Sequence, residues 1–276
     1  MTDINDWQEK VGRAWAAMWP QTDRSFTGLT EQFLGTLAAL PGHAILDVGC
    51  GAGELALALA RQRHDARIIG VDVSPELIEA AQARSGERGR VEFRCADAAL
   101  WQPPADFRPD LIVSRHGVMF FADPVGAFAH LRAISAPGAR LAFTCFRAME
   151  ENEWAAGLSA MLQHGTTPPP FAAGGPGPFA FADPDLISRI LGEAGWSGLR
   201  IEPVDFAYIA GLGPNPVDEA AGFFTRIGPA ARAMAEAGEI ERELLDHRLR
   251  HWLERHRKDS LIAFAAAAWR VTARRD

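Results

Sequence analysis

The chain has 276 residues, of which 48% are hydrophobic and 23% are charged, so it can bury one large core. Its formal net charge of −7 argues against a general nucleic-acid-binding protein, which is usually basic, and no nucleic-acid partner is expected. The N-terminus lacks an apolar signal segment, and the longest late apolar run, Leu261–Trp269, is too short to cross a bilayer. We therefore predict a cytoplasmic protein without membrane contact, in which Cys50, Cys95 and Cys145 stay reduced.

Residues 1–40 precede the first strand and are predicted to lie outside the sheet as a helical cover. The apolar spacing predicts a helix over residues 5–18 with Trp7 on its apolar face, and Pro20 ends this helix. A second helix is predicted over residues 27–40. The alternative is that these helices only pack on the core and cover no ligand.

Three glycines at alternate positions connect a predicted buried strand to a predicted helix. The predicted strand includes Ile45–Val48, and the predicted helix begins at Glu54. Such a turn lets the backbone approach a nucleotide-like ligand, because side chains would otherwise block it. The strict G-x-G-x-x-G dinucleotide pattern counted from Gly49 fails, although the looser form counted from Gly51 fits through Ala56. The acidic residues before and after the glycines disfavour a pyrophosphate and favour a cationic ligand.

Polar residues follow three further predicted strands. Asp72 closes strand 67–72, where an acidic side chain binds both hydroxyls of a ribose, and Asp97 follows strand 91–95. Ser114 ends strand 110–114. Strands that alternate with amphipathic helices predict a doubly wound parallel sheet, and such sheets bind ligands beyond the carboxyl ends of their strands. These residues are therefore expected to meet in one cleft.

This order of motifs resembles class I S-adenosylmethionine (SAM)-dependent methyltransferases over roughly residues 40–150 and 184–273. Within them it looks like the ubiquinone/menaquinone-biosynthesis-like branch, on the stretches Ser114–Pro124 and Gly177–Pro184. The resemblance implies an α/β Rossmann-like sheet of seven strands with the last antiparallel, SAM as cofactor and S-adenosylhomocysteine as product. The cofactor-binding residues that it implies are Asp47, Gly49, Cys50, Gly51, Gly53, Asp72, Val73, Asp97, Ala98, Ser114 and Arg115.

Methyl transfer is an in-line displacement that depends on positioning and water exclusion, with a base for a neutral nucleophile. His116, at the end of the fourth strand, is the predicted catalytic base; alternatively it only hydrogen bonds the loop or lines the pocket. Arg115 is predicted to hold a substrate carboxylate, or alternatively to form a salt bridge in the core. An apolar or aromatic acceptor is expected against Trp19, Met119, Phe120, Phe146, Trp154 and Phe179.

The C-terminal half departs from a simple core. Residues 147–183, rich in proline and glycine, predict an irregular lid loop over the substrate, or else a plain surface loop. Asp183-Pro184 begins a helix, a sixth strand follows over about 199–209, and the last strand is predicted over 260–272. Residues 215–258 predict a helical insertion before that strand, longer than the family's usual hairpin. It makes either a roof or a dimer interface.

The sequence therefore predicts one methyltransferase domain over residues 1–276, with residues 41–146 as the SAM-binding core. We predict methyl transfer to oxygen, carbon or nitrogen of a small-molecule acceptor. Two alternatives stay open: an NAD-dependent oxidoreductase, and a non-catalytic protein that binds SAM or another ligand. No metal site is predicted, because His247 and His251 lack a third ligand, and a homodimer is one arrangement that the insertion allows.

Overall fold

A computed structural model describes residues 10–86, 91–162 and 175–276. The predicted helix over residues 5–18 is described only from Lys10, so Trp7 lies outside the described residues. Of the predicted lid loop, residues 163–174, which include Phe171, also lie outside them. No helix in the described ranges is long and apolar enough to span a membrane.

One mixed β-sheet forms the centre of the molecule. Its strands are β1 (Ala44–Val48), β2 (Arg67–Asp72), β3 (Val91–Cys95), β4 (Leu111–Arg115), β5 (Arg140–Phe146), β6 (Ser197–Leu212), β7 (Arg257–Lys258) and β8 (Leu261–Arg274). The order is β3-β2-β1-β4-β5-β8-β6, with the two-residue β7 paired to β8. Strands β1 to β5 are parallel, and β8 runs antiparallel to both β5 and β6. The predicted doubly wound sheet with an antiparallel last strand is confirmed, and β7 is an addition to the seven strands expected.

Helices cover both faces of this sheet and bury its apolar strands. They are α1 (Lys10–Ala17), α2 (Trp19–Ser25), α3 (Thr27–Ala38), α4 (Glu54–Gln62), α5 (Pro75–Ser85), α6 (Pro124–Ile134), α7 (Glu153–Leu162), α8 (Pro184–Glu193), α9 (Pro216–Phe224), α10 (Pro229–Glu236) and α11 (Glu239–Arg255). Side chains cap α5, α6 and α8 at their N-termini: Ser74, Asp123 and Asp183 each accept a backbone N–H and precede a proline.

The N-terminal cover consists of three described helices, where the sequence predicts two. Pro20 does not end the helical region but lies in the first turn of α2. Proline is tolerated there because a backbone N–H in the first turn has no acceptor within the helix. Helices α2 and α3 are fastened to β6 by polar contacts. Ser25 donates to the carbonyl oxygen of Ile209 at 2.9 Å, and Gln32 donates to that of Asp205 at 3.1 Å.

The prediction of an irregular loop over residues 147–183 is wrong for residues 153–162, which form α7. Its buried face includes Trp154, Leu158 and Leu162, a helical spacing that the proline-rich sequence nearby obscured. Asn152 fixes the start of this helix by exchanging two hydrogen bonds with the backbone of Ala267 on β8, at 3.2 and 3.0 Å. The loop's ordered beginning therefore belongs to the core.

The insertion over residues 215–258 forms helices α9, α10 and α11. Strands β6 and β8 extend far beyond the parallel strands, and α9 packs against that extension. Phe223 and Phe224 of α9 and Leu249 and Leu253 of α11 are almost completely buried. In the part of the chain that the structure describes, no three His, Cys, Asp or Glu side chains are arranged to hold a metal ion.

Candidate active site

A large cavity of about 950 Å³ opens at the carboxyl ends of the parallel strands. The glycine turn and the acidic ends of β1, β2 and β3 line one end of it. Aromatic side chains from the cover, β5, α7, β6 and α9 line the other end. We call these the acidic end and the aromatic end.

The glycine turn follows β1 and is held by backbone hydrogen bonds. Gly49 and Gly51 have φ angles of 63° and 54°, in the left-handed region that a residue with a Cβ atom rarely adopts. The N–H groups of Gly49 and Cys50 both donate to the carbonyl oxygen of Val71, at 2.8 and 3.1 Å. The turn therefore exposes its backbone to the cavity while β1 stays registered against β2.

Asp72, at the end of β2, accepts two backbone hydrogen bonds. The N–H of Gly51 donates to one carboxylate oxygen and the N–H of Ser74 to the other, both at 2.9 Å. Burial raises the pKa of Asp72, while these bonds lower it. One carboxylate thus connects the glycine turn to the loop after β2, and its remaining lone pairs lie at the cavity wall.

Asp47 is the unsatisfied charge of the site. Its side chain lines the cavity, yet neither carboxylate oxygen has a hydrogen-bond partner among the described residues. Burial raises the pKa of Asp47 to about 7 and the Asp72 carboxylate adds to the rise, whereas the positive charge of Arg115 and the nearby backbone N–H of Ala56, which lies outside hydrogen-bond geometry, oppose it. A buried carboxylate without a partner is costly, and a cation in the cavity would relieve that cost.

An ionic cluster closes the N-terminal cover over the acidic end. Arg84 of α5 donates to Asp23 at 2.7 Å, to Glu54 at 3.0 Å and to the carbonyl oxygen of Ala52 at 2.7 Å. Its guanidinium also stacks on Trp19, 3.8 Å from the ring centroid. We call these contacts the Arg84 latch, because they join the cover to the glycine turn.

The two carboxyl groups of the Arg84 latch, Asp23 and Glu54, have pKa values that are shifted in opposite directions. Burial and the neighbouring Glu54 raise the pKa of Asp23 to about 6, although Arg115 lowers it. Burial raises the pKa of Glu54 too, but a hydrogen bond from Asp23 and the charge of Arg115 hold it below its usual value. Asp23 therefore carries the proton first as the pH falls.

Arg115 is directed toward the cover as well as the cavity. It donates to the hydroxyl of Thr30 at 2.8 Å, lies 3.5 Å from Asp23, and stacks 5.3 Å from the ring centroid of Phe26. Its guanidinium is thus engaged with residues of α2 and α3. These contacts agree with the alternative in which Arg115 forms a salt bridge in the core. Binding of a substrate carboxylate by Arg115 stays a prediction.

His116 follows β4 in the left-handed conformation, with a φ of 62°. This backbone strain is held by a hydrogen bond from its N–H to the carbonyl oxygen of Thr144, at 3.0 Å. Its Nδ1 lies 3.0 Å from the Thr144 hydroxyl, and its Nε2 is buried without a partner among the described residues. Burial and, to a smaller extent, the positive charge of Arg115 together lower the pKa of His116 to about 3. The imidazole is therefore neutral near pH 7.

The aromatic end is built of rings in contact. Phe146 lies edge-on to the His116 imidazole at 4.2 Å, and Trp154 stacks on Tyr208 at 5.1 Å. The insertion supplies the roof through residues of α9, of the turn that follows and of the first turn of α10. The lining residues from the cover, β6 and the roof include Phe26, Tyr208, Phe223, Phe224, Ile227 and Pro229.

Most of the predicted site residues meet in this one cavity. Those lining it are Asp47, Gly49, Cys50, Gly51, Asp72, Val73, Asp97, Ala98, Arg115, His116, Trp19, Met119, Phe120, Phe146 and Trp154. Three do not line it. Gly53 makes room for Phe93, whose ring would lie 2.7 Å from a Cβ atom there. Ser114 ties β4 to β1 by donating to the carbonyl oxygen of Val48 at 2.7 Å, and Phe179 packs behind Phe146.

Sequence reasoning missed Phe26, Tyr208 and the roof residues as site residues. Tyr208 is the single tyrosine of the chain and lies within a predicted strand, which was the available signal. The roof residues gave none, because nothing local in a helix shows which cavity it covers. Their position at the cavity agrees with the roof alternative, and a dimer interface on the insertion stays a prediction.

The sequence profile described as "Methyltransferase domain" matches residues 45–138, which span the glycine turn, Asp72, Asp97 and His116. Residues 45–138 form a methyltransferase domain. The predicted resemblance to methyltransferases is therefore confirmed for this part of the chain, and none of the comparisons supports the oxidoreductase alternative. The matched range includes the glycine turn and the acidic ends of β1, β2 and β3, and it leaves out the aromatic residues Phe146, Trp154, Tyr208 and Phe223 of the cavity.

Individual relatives match over the same limited extent. A trans-aconitate 2-methyltransferase of Methylobacterium radiotolerans is 37% identical over 109 residues, which are 38% of this chain and 40% of that protein. The aklanonic acid methyltransferase DauC of a Streptomyces species is 32% identical over 122 residues, 43% and 55% of the two chains. The chain thus covers about half the length, or less, of these relatives.

Solved structures share the fold over the whole chain. A Haemonchus contortus phosphoethanolamine N-methyltransferase 2 in complex with S-adenosyl-L-methionine superposes with a TM-score of 0.58. It is 15% identical, and the match covers 100% of this chain and 61% of that one. At this identity the likeness establishes the methyltransferase fold of the domain.

Proposed function

We propose that this protein transfers the methyl group of SAM to a small, largely apolar acceptor. The observation that carries the proposal is one continuous cavity with an acidic end and an aromatic end. The acidic end suits a cationic nucleoside-containing cofactor. The aromatic end suits an acceptor that needs water excluded around its reacting atom.

The residues of the acidic end fit SAM. The buried Asp47 carboxylate without a partner offers a counter-charge for an ammonium or sulfonium group. Asp72 retains lone pairs for two ribose hydroxyls, and Asp97, beside Ala98, has its carboxylate at the cavity wall for the adenine amino group. The glycine turn brings the backbone to the ligand. When bound, SAM supplies an electrophilic methyl carbon.

The remaining residues position the acceptor and exclude water. Rings of Phe146, Trp154, Tyr208 and Phe223 give it apolar faces to pack on, and the roof closes above it. His116 lies among these rings with its Nε2 unpartnered among the described residues, so it is the group of the aromatic end that we propose orients the nucleophile. Total cavity volume, about 950 Å³, accommodates a cofactor and a compact acceptor together.

Calorimetric titration with SAM, S-adenosylhomocysteine and NADH tests the cofactor. We expect micromolar binding of the first two and no heat with NADH. A binding signal with NADH alone would overturn the proposal. With the cofactor established, a screen of small phenols, quinols, carboxylates and amines with radiolabelled SAM tests methyl transfer, and cofactor binding without turnover on any acceptor class would instead support the non-catalytic alternative.

A further inference from the structure

The side chains of Thr144 and His116 form an isolated buried pair. Thr144 on β5 is completely buried, and His116 is 8% exposed. The Thr144 hydroxyl oxygen lies 3.0 Å from His116 Nδ1, and no other hydrogen bond of this hydroxyl occurs among the described residues. The backbone carbonyl of Thr144 also accepts the N–H of His116, so residue 144 holds both the main chain and the ring of residue 116.

The number of buried polar groups left without a hydrogen-bond partner differs between the two tautomers of the imidazole and favours one of them. If Nδ1–H donated to the hydroxyl oxygen, two buried polar groups would lack partners: the hydroxyl proton and the lone pair of Nε2. If the hydroxyl donates to Nδ1, only Nε2–H lacks a partner. Each unsatisfied buried group is costly, so the second arrangement is favoured.

The surroundings keep this imidazole neutral. Phe26 and Phe146 flank the ring with centroids 5.1 and 4.2 Å away, and Arg115 is the adjacent residue in the chain. Burial among these rings removes the imidazole from water, and the neighbouring guanidinium repels a second proton, so both lower the pKa of His116. A neutral ring with Nε2–H can donate one hydrogen bond, and it has no lone pair on that nitrogen with which to accept a proton.

We propose that Thr144 is the positioning residue that holds His116 as its Nε2–H tautomer, so that His116 donates a hydrogen bond to an acceptor oxygen that carries no proton. Such oxygens belong to carbonyl, carboxylate and phenolate groups. The inference rests on the proposed function in taking the aromatic end as the acceptor site. It replaces proton removal by His116 with orientation. A carboxylate or phenolate acceptor brings a nucleophilic oxygen that has no proton to lose, whereas a carbonyl oxygen would be held for orientation alone. Contact with Nε2 requires a small displacement of the flanking Phe26 or Phe146 ring.

Nitrogen-15 NMR of protein labelled at histidine tests the tautomer without any turnover. The protonated and unprotonated ring nitrogens of a neutral imidazole differ widely in chemical shift. The His116→Gln variant identifies the His116 signals among those of eight histidines. We expect Nε2 to be protonated and Nδ1 unprotonated from about pH 5 to about pH 9, with no titration. A protonated Nδ1 in the unmodified protein would overturn the proposal.

Two variants of Thr144 form a matched pair for its positioning role. Thr144→Ser keeps the hydroxyl and should keep the tautomer, whereas the near-isosteric Thr144→Val removes the donor and should shift His116 toward a mixture of tautomers. Calorimetry with SAM checks that each variant keeps the cofactor end intact. An unchanged His116 spectrum in Thr144→Val would remove Thr144 as the positioning residue.

Two neutral probes of similar shape test the oxygen contact. In the presence of S-adenosylhomocysteine, 2-acetylnaphthalene presents a carbonyl oxygen and 2-ethylnaphthalene does not. We expect the first to bind about two- to tenfold more tightly and to shift the Nε2 signal, a difference that Thr144→Val should reduce. Equal affinities with no shift would overturn the oxygen contact. Failure of SAM to bind would instead count against the proposed function, so the two failures are distinguishable.

Discussion

The backbones of Gly49 and Gly117 lie in direct contact: a Cβ atom on Gly49 would fall 2.8 Å from the Cα of Gly117, and one on Gly117 would fall 2.9 Å from the Cα of Gly49. A Cβ atom on Gly117 would also lie 2.6 Å from the carbonyl oxygen of Val48. This contact joins the glycine turn after β1 to the loop after β4. The strained His116 therefore lies directly beside the glycine turn.

Replacing Gly117 by alanine should destabilise the protein by about 1–3 kcal/mol, because two backbone segments must separate to admit one methyl group. The φ of Gly117 is −87°, so the cost comes from crowding and not from the backbone angle. Urea unfolding measures it. Gly35→Ala is the control: a Cβ atom there meets nothing within 4 Å, and helix α3 should gain about 0.5–1 kcal/mol. Equal effects from both substitutions would contradict the crowding argument.

Replacing Asp72 by alanine should weaken SAM binding by about 1–3 kcal/mol, because hydrogen bonds to a charged acceptor are lost. Calorimetry measures this loss. Since Asp72 also holds Gly51 and Ser74, a double-mutant cycle with a 2′,3′-dideoxy analogue of S-adenosylhomocysteine isolates the ribose contact. If the substitution weakens binding of the dideoxy analogue as much as binding of S-adenosylhomocysteine, Asp72 acts by holding the loop and not by binding the ribose.

Replacing Asp47 by asparagine should stabilise the ligand-free protein above pH 7. The pKa of Asp47 is raised to about 7, so the folded state holds a proton that the unfolded state loses near pH 4. Unfolding free energy therefore falls as the pH rises from about 4 to about 7, and this part of the loss disappears in the variant. We expect a stability gain of about 1–3 kcal/mol at pH 8, growing from none near pH 4, by urea unfolding at several pH values.

The same carboxylate gives SAM binding a pH dependence. A bound cation and a proton compete for Asp47, so the apparent affinity should rise up to about tenfold per pH unit between about pH 5.5 and pH 7. Calorimetry in buffers of different ionisation enthalpy should detect proton release on binding at pH 6. Asp47→Asn should bind SAM more weakly and lose the slope; an unchanged slope would assign it to Asp23 or another group.

Replacing Arg84 by methionine should open the Arg84 latch. The substitution removes contacts to Asp23, Glu54, Ala52 and the Trp19 ring, while keeping an unbranched apolar side chain. We expect the dissociation rate of SAM to rise about tenfold, measured by stopped-flow tryptophan fluorescence. Arg94→Met is the matched control, because Arg94 pairs with Glu92 on the surface and is 53% exposed. Equal SAM dissociation rates in both variants would show that the Arg84 latch does not retain the cofactor.

Local sequence signals were sufficient for the acidic end of the site. Glycines at fixed spacing, an aspartate at or just after the ends of β1, β2 and β3, and Ser-Pro or Asp-Pro helix starts are short-range features. The parallel sheet brings them together without further information. The glycine turn, Asp72 and Asp97 accordingly line one cavity, as predicted, and β6 and β8 lie where expected within three residues at each end.

The aromatic end depends on contacts between distant segments, which local patterns do not encode. Phe26, Tyr208 and Phe223 are far apart in the chain and meet because β6 extends past the sheet and carries both the cover and α9. Helix α7 was hidden for a related reason, since its apolar face packs on residues far along the chain. Gly157, for example, leaves space for Trp252. The catalytic role of His116, the homodimer and the cytoplasmic location stay predictions.

The long antiparallel pair of β6 and β8 divides the walls of the cavity between two parts of the chain. Its outer half carries the roof helix α9 and contributes no residue to the glycine turn. Under the proposed function, we expect mutations there to alter acceptor preference at little cost to cofactor affinity, a division that would make the architecture readily evolvable. A protein engineer seeking a new acceptor would redesign Phe223, Phe224 and Ile227 and leave the first half of the chain intact.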